Sequence, residues 1–272
     1  MRPFLRAAAA LSFASFVSFV PGASAQLAAP NDAGVTMGHV HLNVADVEVH
    51  KKLWVEHFGA TPLAREGLPG VKLPGMLILF RQQAPAGGSE GTVLDHFGFK
   101  IPNLASFLQK WRAAGFEVQR EFKGTEGFPN AYVIGPDSVK IELQEDTSLK
   151  MKAMSYHLHY LVADHLKLRD WYVEKFSAVA RKRGEHDTAD VPGMNLTIQT
   201  PRTPPTAGTK GRTIDHIGFE VHNLEAFCKK LEAGGLKFDV AYRKVPNLGI
   251  ALAFLTDPVG TYIELTEGLD QY

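Results

Sequence analysis

Four short stretches of alternating apolar and polar residues recur along the chain, and each is typical of a β-strand with one buried face. They cover Gly38–Val44, His96–Ile101, Tyr156–Val162 and His216–Val221. A stretch with helical spacing follows each one, over Val47–Phe58, Asn103–Ala114, His165–Phe176 and Asn223–Ala233. Further strands are predicted over Met76–Phe80, Ala131–Ile134, Val139–Gln144, Leu196–Gln199, Leu252–Leu255 and Tyr262–Thr266. The pattern predicts an α+β fold of four βαβββ modules, and the helices that begin with Asn are expected to be capped by its side chain.

The modules are related in pairs by an internal repeat. The segment HVHLNVAD that begins at His39 and the segment HLHYLVAD that begins at His157 are identical at five of eight positions. The later segments DHFGF and IEL of the first half match DHIGF and IEL of the second half in the same order. Such self-similarity at a nearly fixed period indicates a duplication. We therefore predict a linker of residues 26–36 and two consecutive domains, residues 37–148 and 153–268, each an open barrel of two modules.

The N-terminus has the pattern of a secretory signal peptide. Arg2 and Arg6 precede the apolar stretch Ala7–Val20, and the small residues of PGASA follow it. The apolar stretch is shorter than the ~20 residues that a membrane-spanning helix needs. We therefore expect residues 1–25 to be removed as a signal rather than kept as an anchor. The sequence predicts a periplasmic or secreted protein with no membrane association after cleavage.

Composition narrows the function classes. Lys and Arg together number 29, as do Asp and Glu, so no basic excess indicates a nucleic-acid or anionic-membrane partner. The single cysteine, Cys228, excludes an intramolecular disulfide and a cysteine-based zinc site. The eleven histidines instead direct attention to metal binding and proton transfer.

Histidine and glutamate recur at matching places in the two halves. The residues are His39, His96 and Glu142 in the first half and His157, His216 and Glu264 in the second half. Two imidazoles and one carboxylate suit Fe(II) or Mn(II), with Zn(II) and Ni(II) as alternatives, and leave coordination positions for a substrate. A Glu within an apolar strand supports this interpretation, because burying an unpaired carboxylate is costly. The alternative is a Glu that faces solvent on an exposed sheet.

Several of these segments resemble the vicinal oxygen chelate superfamily. They are HVHLNV, DHFGFKI and VKIELQE in the first half and HLHYLV, DHIGFEV and YIELTEG in the second half. The superfamily includes glyoxalase I, extradiol dioxygenases, fosfomycin-resistance transferases and bleomycin-resistance proteins. The resemblance implies that paired modules curl around one metal ion. It further implies that His39, His96 and Glu142 hold one ion and that His157, His216 and Glu264 hold another.

Three residues near these ligands are candidates for catalysis. His41 and His159 lie two positions beyond a predicted ligand and share its strand face, so they either transfer protons beside the metal or pack under the sheet. Tyr132 is a candidate to orient or protonate a substrate, whereas the second half has Phe254 at that place. The histidines without partners in the repeat are expected at the surface: His57, His165, His186 and His222.

The sequence thus predicts a secreted metal-dependent enzyme that binds a small molecule through two neighbouring oxygens. A dioxygenase-like reaction is favoured over glyoxalase-like lyase or isomerase chemistry, because Met76–Phe80 and Met194–Gln199 lack the acid expected for a fourth glyoxalase ligand. The dioxygenase pattern is itself incomplete, since neither half has the His that accompanies its Tyr. The alternative is a ligand-binding protein of the bleomycin-resistance type without catalysis. Four modules in one chain allow a monomer or a homodimer.

Overall fold

The computed structural model describes residues 27–272, and the predicted signal peptide lies outside this range. The first module contains β1 (Val35–Val44), α1 (Val47–Leu53) with a π-helical turn (Trp54–Phe58), β2 (Thr61–Pro62), β3 (Gly70–Leu73) and β4 (Met76–Gln82). The second contains β5 (Leu94–Ile101), α2 (Leu104–Ala113), β6 (Glu117–Lys123), β7 (Pro129–Ile134) and β8 (Lys140–Glu145). The third contains β9 (Met154–Leu161), α3 (His165–Phe176), β10 (Val179–Arg183), β11 (His186–Val191) and β12 (Met194–Gln199). The fourth contains β13 (Ile214–Val221), α4 (Leu224–Ala233), β14 (Val240–Val245), β15 (Ile250–Thr256) and β16 (Tyr262–Glu267).

The modules pair across the two halves of the repeat. Sheet I joins modules one and four in the strand order β14-β15-β16-β13-β1-β4-β3-β2. Sheet II joins modules two and three in the order β10-β11-β12-β9-β5-β8-β7-β6. In each sheet the first strands of the two modules are antiparallel neighbours, β1 with β13 and β5 with β9. Within residues 27–272 both eight-stranded sheets remain open, which confirms the predicted α+β class with two open barrels.

Each half of the repeat therefore contributes to both sheets. Residues 37–148 supply modules one and two, and residues 153–268 supply modules three and four. The repeat shows which modules are related, but all four first strands carry the same apolar pattern, so it does not determine which strands become neighbours. The structure places β9 beside β5 and β1 beside β13.

The outer strands β2, β3, β6, β10, β11 and β14 are required by four βαβββ modules, but they lie outside the ranges that the alternating pattern identifies. Three of them, β6, β10 and β14, have mostly exposed side chains, so charged residues interrupt the alternation that identifies a strand. The predicted cap at Asn103 is confirmed, because its side chain accepts a hydrogen bond from the Ser106 backbone N–H at 2.8 Å. The cap expected at Asn223 is wrong. Asn223 has φ +58, and the Glu267 carboxylate accepts the backbone N–H groups of Asn223 and Leu224 instead.

The main hydrophobic core connects the two sheets. Trp54 of module one packs against Phe97 and Phe99 of β5 in sheet II, with ring centroids 5.7 Å apart in both pairs. Phe176 of α3 packs against Phe219 of β13 in sheet I at 4.9 Å. Burial of each such ring contributes roughly 1.5–3 kcal/mol. Because side chains alternate between faces along a strand, the residues between these aromatic rings in the sequence point to the opposite face of each sheet. Among the described helices, none has the length and apolarity that crossing a membrane requires.

The cross-pairing predicts that the two halves fold only together. Residues 27–149 expressed alone leave β1 and β5 without β13 and β9, and residues 150–272 have the converse deficit. We expect each fragment alone to aggregate or self-associate, and the co-expressed fragments to purify as a one-to-one complex. Size-exclusion chromatography with light scattering, together with circular dichroism, measures this. A folded monomer of either fragment would contradict the prediction.

Candidate metal centres

Histidine and glutamate side chains converge at one place on each sheet. The first centre consists of His39, His41, His216 and Glu264 on sheet I, and the second centre consists of His96, Glu142, His157 and His159 on sheet II. In each centre the four residues offer ligand atoms that all lie within 4.8 Å of one another. Every ligand-type residue singled out from the sequence therefore lies in one of these two clusters, as do the catalytic candidates His41 and His159.

The grouping implied by the resemblance is wrong. It placed His39 with His96 and Glu142, whereas the structure places His39 with His216 and Glu264. The second set is divided in the same way, since His157 lies with His96 and Glu142. The physical reason is the strand order, because β1 adjoins β13 rather than β5. Each centre thus needs both halves of the chain.

Strand register brings these side chains to one face. In sheet I, His41 is paired with His216 and His39 with Gly218, while Gly218 is paired with Glu264 on the other side. Sheet II repeats the arrangement around Gly98, which is paired with His157 and Glu142. A Cβ atom at Gly218 would overlap the ring of His39. A Cβ atom at Gly98 would likewise overlap the ring of His157, so the glycine of the DHxGF segment makes room for a histidine of the partner module.

In the second centre one carboxylate oxygen faces three imidazoles. Glu142 Oε2 lies 2.9 Å from His96 Nε2, 3.3 Å from His157 Nε2 and 4.0 Å from His159 Nδ1. The other oxygen, Oε1, accepts a hydrogen bond from the Asn130 amide at 2.6 Å. This bond fixes the carboxylate so that Oε2 stays among the imidazoles. The four residues of the second centre are all buried.

The first centre has the same arrangement. Glu264 Oε2 lies 2.9 Å from His39 Nε2 and 3.1 Å from His216 Nε2. The ring of His41 lies 4.5 Å from that of His216 between centroids. Both ring nitrogens of His41, and also His39 Nδ1, are buried without a hydrogen-bond partner in the described residues.

An aspartate orients one histidine in each centre. His96 Nδ1 donates to Asp95 Oδ2 at 2.7 Å, and His216 Nδ1 donates to Asp215 Oδ1 at 2.6 Å. Burial alone would raise the pKa of Asp215, but the bond from His216 holds this pKa down at about 2. Each carboxylate therefore stays charged and keeps the proton on Nδ1, which directs the Nε2 lone pair toward the centre.

The remaining imidazoles of the second centre are held neutral. Burial, and next the charge of Arg183, lowers the pKa of His157 to about 3. Burial, and next His96, lowers the pKa of His159 well below its usual value. His96 differs from these two residues. Burial lowers its pKa as well, but the hydrogen bonds to Asp95 and Glu142 outweigh burial, and the pKa of His96 is raised. Neutral imidazole is the form that ligates metals.

The second centre opens into a cavity of about 500 Å³. Its walls include His96, Glu142 and His159 together with Tyr132, the third catalytic candidate. The ring of Tyr132 lies 5.1 Å from that of His96 between centroids. Burial, and next the negative charge of Glu142, raises the pKa of this phenol, so it stays protonated at neutral pH.

The two centres differ in the strand beside their histidines. In sheet I, β4 places Leu77 and Leu79 beside His39 and His41. These leucines pack with Leu269 and Tyr272 of the C-terminal segment. In sheet II, β12 places Asn195 and Thr197 beside His157 and His159. In the first centre Phe254 occupies the position that Tyr132 has in the second centre. Its ring centroid lies 5.3 Å from that of His216. The surroundings of the second centre are thus the more polar.

Two residues of the cavity were not identified as functional from the sequence. His186 was expected at the surface, but it is half-buried in the cavity wall with its ring centroid 5.7 Å from that of His159. Arg183 is 5% exposed and lines the same cavity. Both lie on the outer strands β10 and β11. The repeat has no histidine equivalent to His186, whereas Arg183 does match Arg65 at the offset that relates His39 to His157, and this match is the one sequence signal for it.

Comparison with known proteins agrees with this architecture. Residues 156–265 match the family model described as Glyoxalase/Bleomycin resistance protein/Dioxygenase superfamily. Glyoxalase I from Zea mays superposes with a TM-score of 0.67 at 14% identity, over 87% of this chain and 94% of that one. A "putative dioxygenase" from Bacillus subtilis superposes with a TM-score of 0.64 at 12% identity, over 89% of this chain and 86% of that one. At these identities the likeness concerns the fold alone. No curated protein sequence matches the chain.

The predicted resemblance to the vicinal oxygen chelate superfamily is therefore confirmed over residues 156–265 by the family model, and the likeness to the two solved structures extends the shared fold to most of the chain.

Proposed function

We propose that the protein is a metal-dependent enzyme that acts at the second centre on a small molecule with two neighbouring oxygens. The observation that carries the proposal is the convergence of His96, Glu142, His157 and His159 on one point beside a cavity of about 500 Å³. Three imidazoles and one carboxylate suit Fe(II) or Mn(II), and the metal's identity is part of the proposal. The first centre has a ligand set of the same composition but more apolar surroundings.

The unpaired nitrogens of the second centre support a metal as the missing partner. Both ring nitrogens of His159 and the Nε2 of His157 are buried without a hydrogen-bond partner in residues 27–272. A buried polar atom left unpaired costs roughly 1–3 kcal/mol. A metal ion bound by His157 Nε2 and by one ring nitrogen of His159 reduces that cost, and the nearby Glu142 carboxylate supplies negative charge to balance the ion.

The residues around the centre can direct the chemistry of a bound substrate. A divalent metal, when bound, would polarise substrate oxygens and stabilise negative charge on them. Tyr132 keeps its proton and can donate a hydrogen bond to a substrate oxygen as that charge develops. Burial lowers the pKa of His186, so its neutral ring can accept a proton in the cavity. His159 is assigned to metal binding rather than to proton transfer, because one of its ring nitrogens lies within 4.8 Å of the ligand atoms of His96, Glu142 and His157.

A dioxygenase-like reaction remains our favoured class over lyase or isomerase chemistry. The strand β12 supplies Asn195 and Thr197, and no acid, beside the histidines of β9. A proton shuttle of the glyoxalase type needs a base linked to the metal, and neither the Asn195 amide nor the Thr197 hydroxyl supplies one. His186 also supplies an imidazole near Tyr132 in the same cavity, which partly fills the gap in the dioxygenase pattern. Export to the periplasm or medium is likewise proposed, on the signal-like pattern of residues 1–25.

Metal content tests the proposal and the grouping of ligands together. Protein purified anaerobically without an affinity tag should hold about two metal ions per chain, one at each centre. Glu142→Ala and Glu264→Ala should each lose about one ion, because each removes the carboxylate of a different centre. The double variant His39→Ala/Glu264→Ala should still retain one ion, whereas His39→Ala/Glu142→Ala should retain none. Mass spectrometry of the metal measures these ratios.

A wild-type protein that takes up no Fe(II), Mn(II), Zn(II) or Ni(II) would exclude the enzyme proposal and favour a ligand-binding barrel. Retention of one ion by His39→Ala/Glu142→Ala would instead restore the within-half grouping.

Tyr132 is expected to affect turnover more than metal binding. With Fe(II) and catechol as the test substrate, Tyr132→Phe should lower kcat by about 10- to 100-fold, the effect of losing one hydrogen bond to a charged oxygen. Oxygen uptake measures the rate, and metal content should stay unchanged. Phe254→Tyr is the matched control at the first centre and should leave the rate as in the wild type. Equal loss in both variants would contradict the assignment of activity to the second centre.

A further inference from the structure

We propose that Arg183 binds a carboxylate carried by the ligand of the second centre, so that the substrate class is a small organic acid with two neighbouring oxygens. The inference rests on the proposed function and adds a specificity residue to it. Its basis is an arginine that is buried in the cavity wall beside the metal-ligand candidates and whose one carboxylate neighbour among the described residues, Glu126, lies beyond hydrogen-bond distance at 3.8 Å.

Arg183 lacks a strong anionic partner among the described residues. Its Nη1 lies 3.8 Å from Glu126 Oε2, too far for a hydrogen bond. Both oxygens of Glu126 lie 2.8 Å from the hydroxyl of Tyr156, which donates to them. The Nε of Arg183 is buried without a partner in residues 27–272. A buried guanidinium with free donors is costly unless an anion joins it.

The cavity's other buried cation is already paired. Lys140 Nζ lies 2.7 Å from Glu90 Oε1 and 2.9 Å from Asp95 Oδ2. Lys140 therefore stabilises the aspartate that orients His96, and its single positive charge is already balanced by two carboxylates. Arg183 is the buried cation of the cavity with unused hydrogen-bonding capacity, and its planar fork matches a carboxylate.

The other contacts of Arg183 are neutral. Its Nη1 donates to His157 Nδ1 at 3.3 Å, longer than the usual range, and its Cζ lies 5.4 Å from the ring centroid of Tyr156. Neither partner is an anion, so a carboxylate on the ligand would be the stronger acceptor for the guanidinium.

The corresponding arginine of the repeat has a different environment. Arg65 of module one lies over the ring of Tyr272, with 5.1 Å from Cζ to the centroid, and donates to the Asn247 carbonyl at 3.4 Å. It therefore serves the C-terminal segment of sheet I rather than a cavity. Arg65 is a matched control, because it is the same residue type at the corresponding place in the repeat.

The test compares two ligands of the same shape and different charge. Protein loaded with Mn(II) under nitrogen is titrated with 3,4-dihydroxybenzoate and with 3,4-dihydroxybenzamide in a calorimeter. The wild type should bind the carboxylate about tenfold or more tightly than the amide. Arg183→Gln should remove this preference while binding the amide as the wild type does. Arg183→Lys, which keeps the charge, should retain part of the preference, and Arg65→Gln should retain all of it.

The outcomes separate this inference from the proposed function. Equal binding of both compounds by the wild type overturns the role of Arg183 but leaves vicinal-oxygen binding intact. Equal weakening of both compounds in Arg183→Gln also overturns it, because the residue then acts through the fold. If Mn(II) binds but neither compound does, the proposed function fails and this inference fails with it.

Discussion

The antiparallel pairing of first strands is the constraint on which both centres depend. It brings β1 against β13 and β5 against β9, and so joins residues far apart in the chain. The pairing is close because a glycine faces a histidine at the contact, Gly218 with His39 and Gly98 with His157. A side chain at either glycine would occupy the space of the imidazole. The DHxGF segment therefore has two functions, since its His is a candidate ligand and its Gly accommodates a ligand of the partner module.

The second constraint is the division of each strand into two faces. Phe97 and Phe99 of β5 face the core between the sheets, while His96, which directly precedes Phe97, faces the cavity. Aromatic packing on one face thereby fixes the position of ligands on the other. This explains how a buried cluster of imidazoles and a carboxylate is tolerated, because the hydrophobic core holds the strand and the polar face need not contribute to packing.

The sequence predicts the modules and the metal-ligand candidates, but it does not predict the strand pairing or two residues of the cavity. Period-2 alternation and the repeat predict the modules, and all six metal-ligand candidates lie in the two clusters. Which first strands pair with each other could not be predicted, because the four first strands have similar sequences. The strand order of the structure shows the pairs, β1 with β13 and β5 with β9. Arg183 and His186 were missed for another reason. They lie on strands whose other residues are largely polar, and so the pattern does not mark those strands or the direction of their side chains.

Duplication supplies two centres, and the differences between them indicate how they have diverged. The metal-ligand sets are alike in composition, so the divergence lies in the surrounding residues. Beside the first centre are Leu77, Leu79 and Phe254, and the C-terminal segment packs against the leucines. Beside the second centre the equivalent places hold Asn195, Thr197 and Tyr132. Apolar neighbours stabilise sheet I by burial but offer a bound molecule no hydrogen bonds. Polar neighbours contribute less to stability by burial, but they provide hydrogen-bonding groups that can orient a ligand. For this reason we assign the proposed catalytic activity to the second centre.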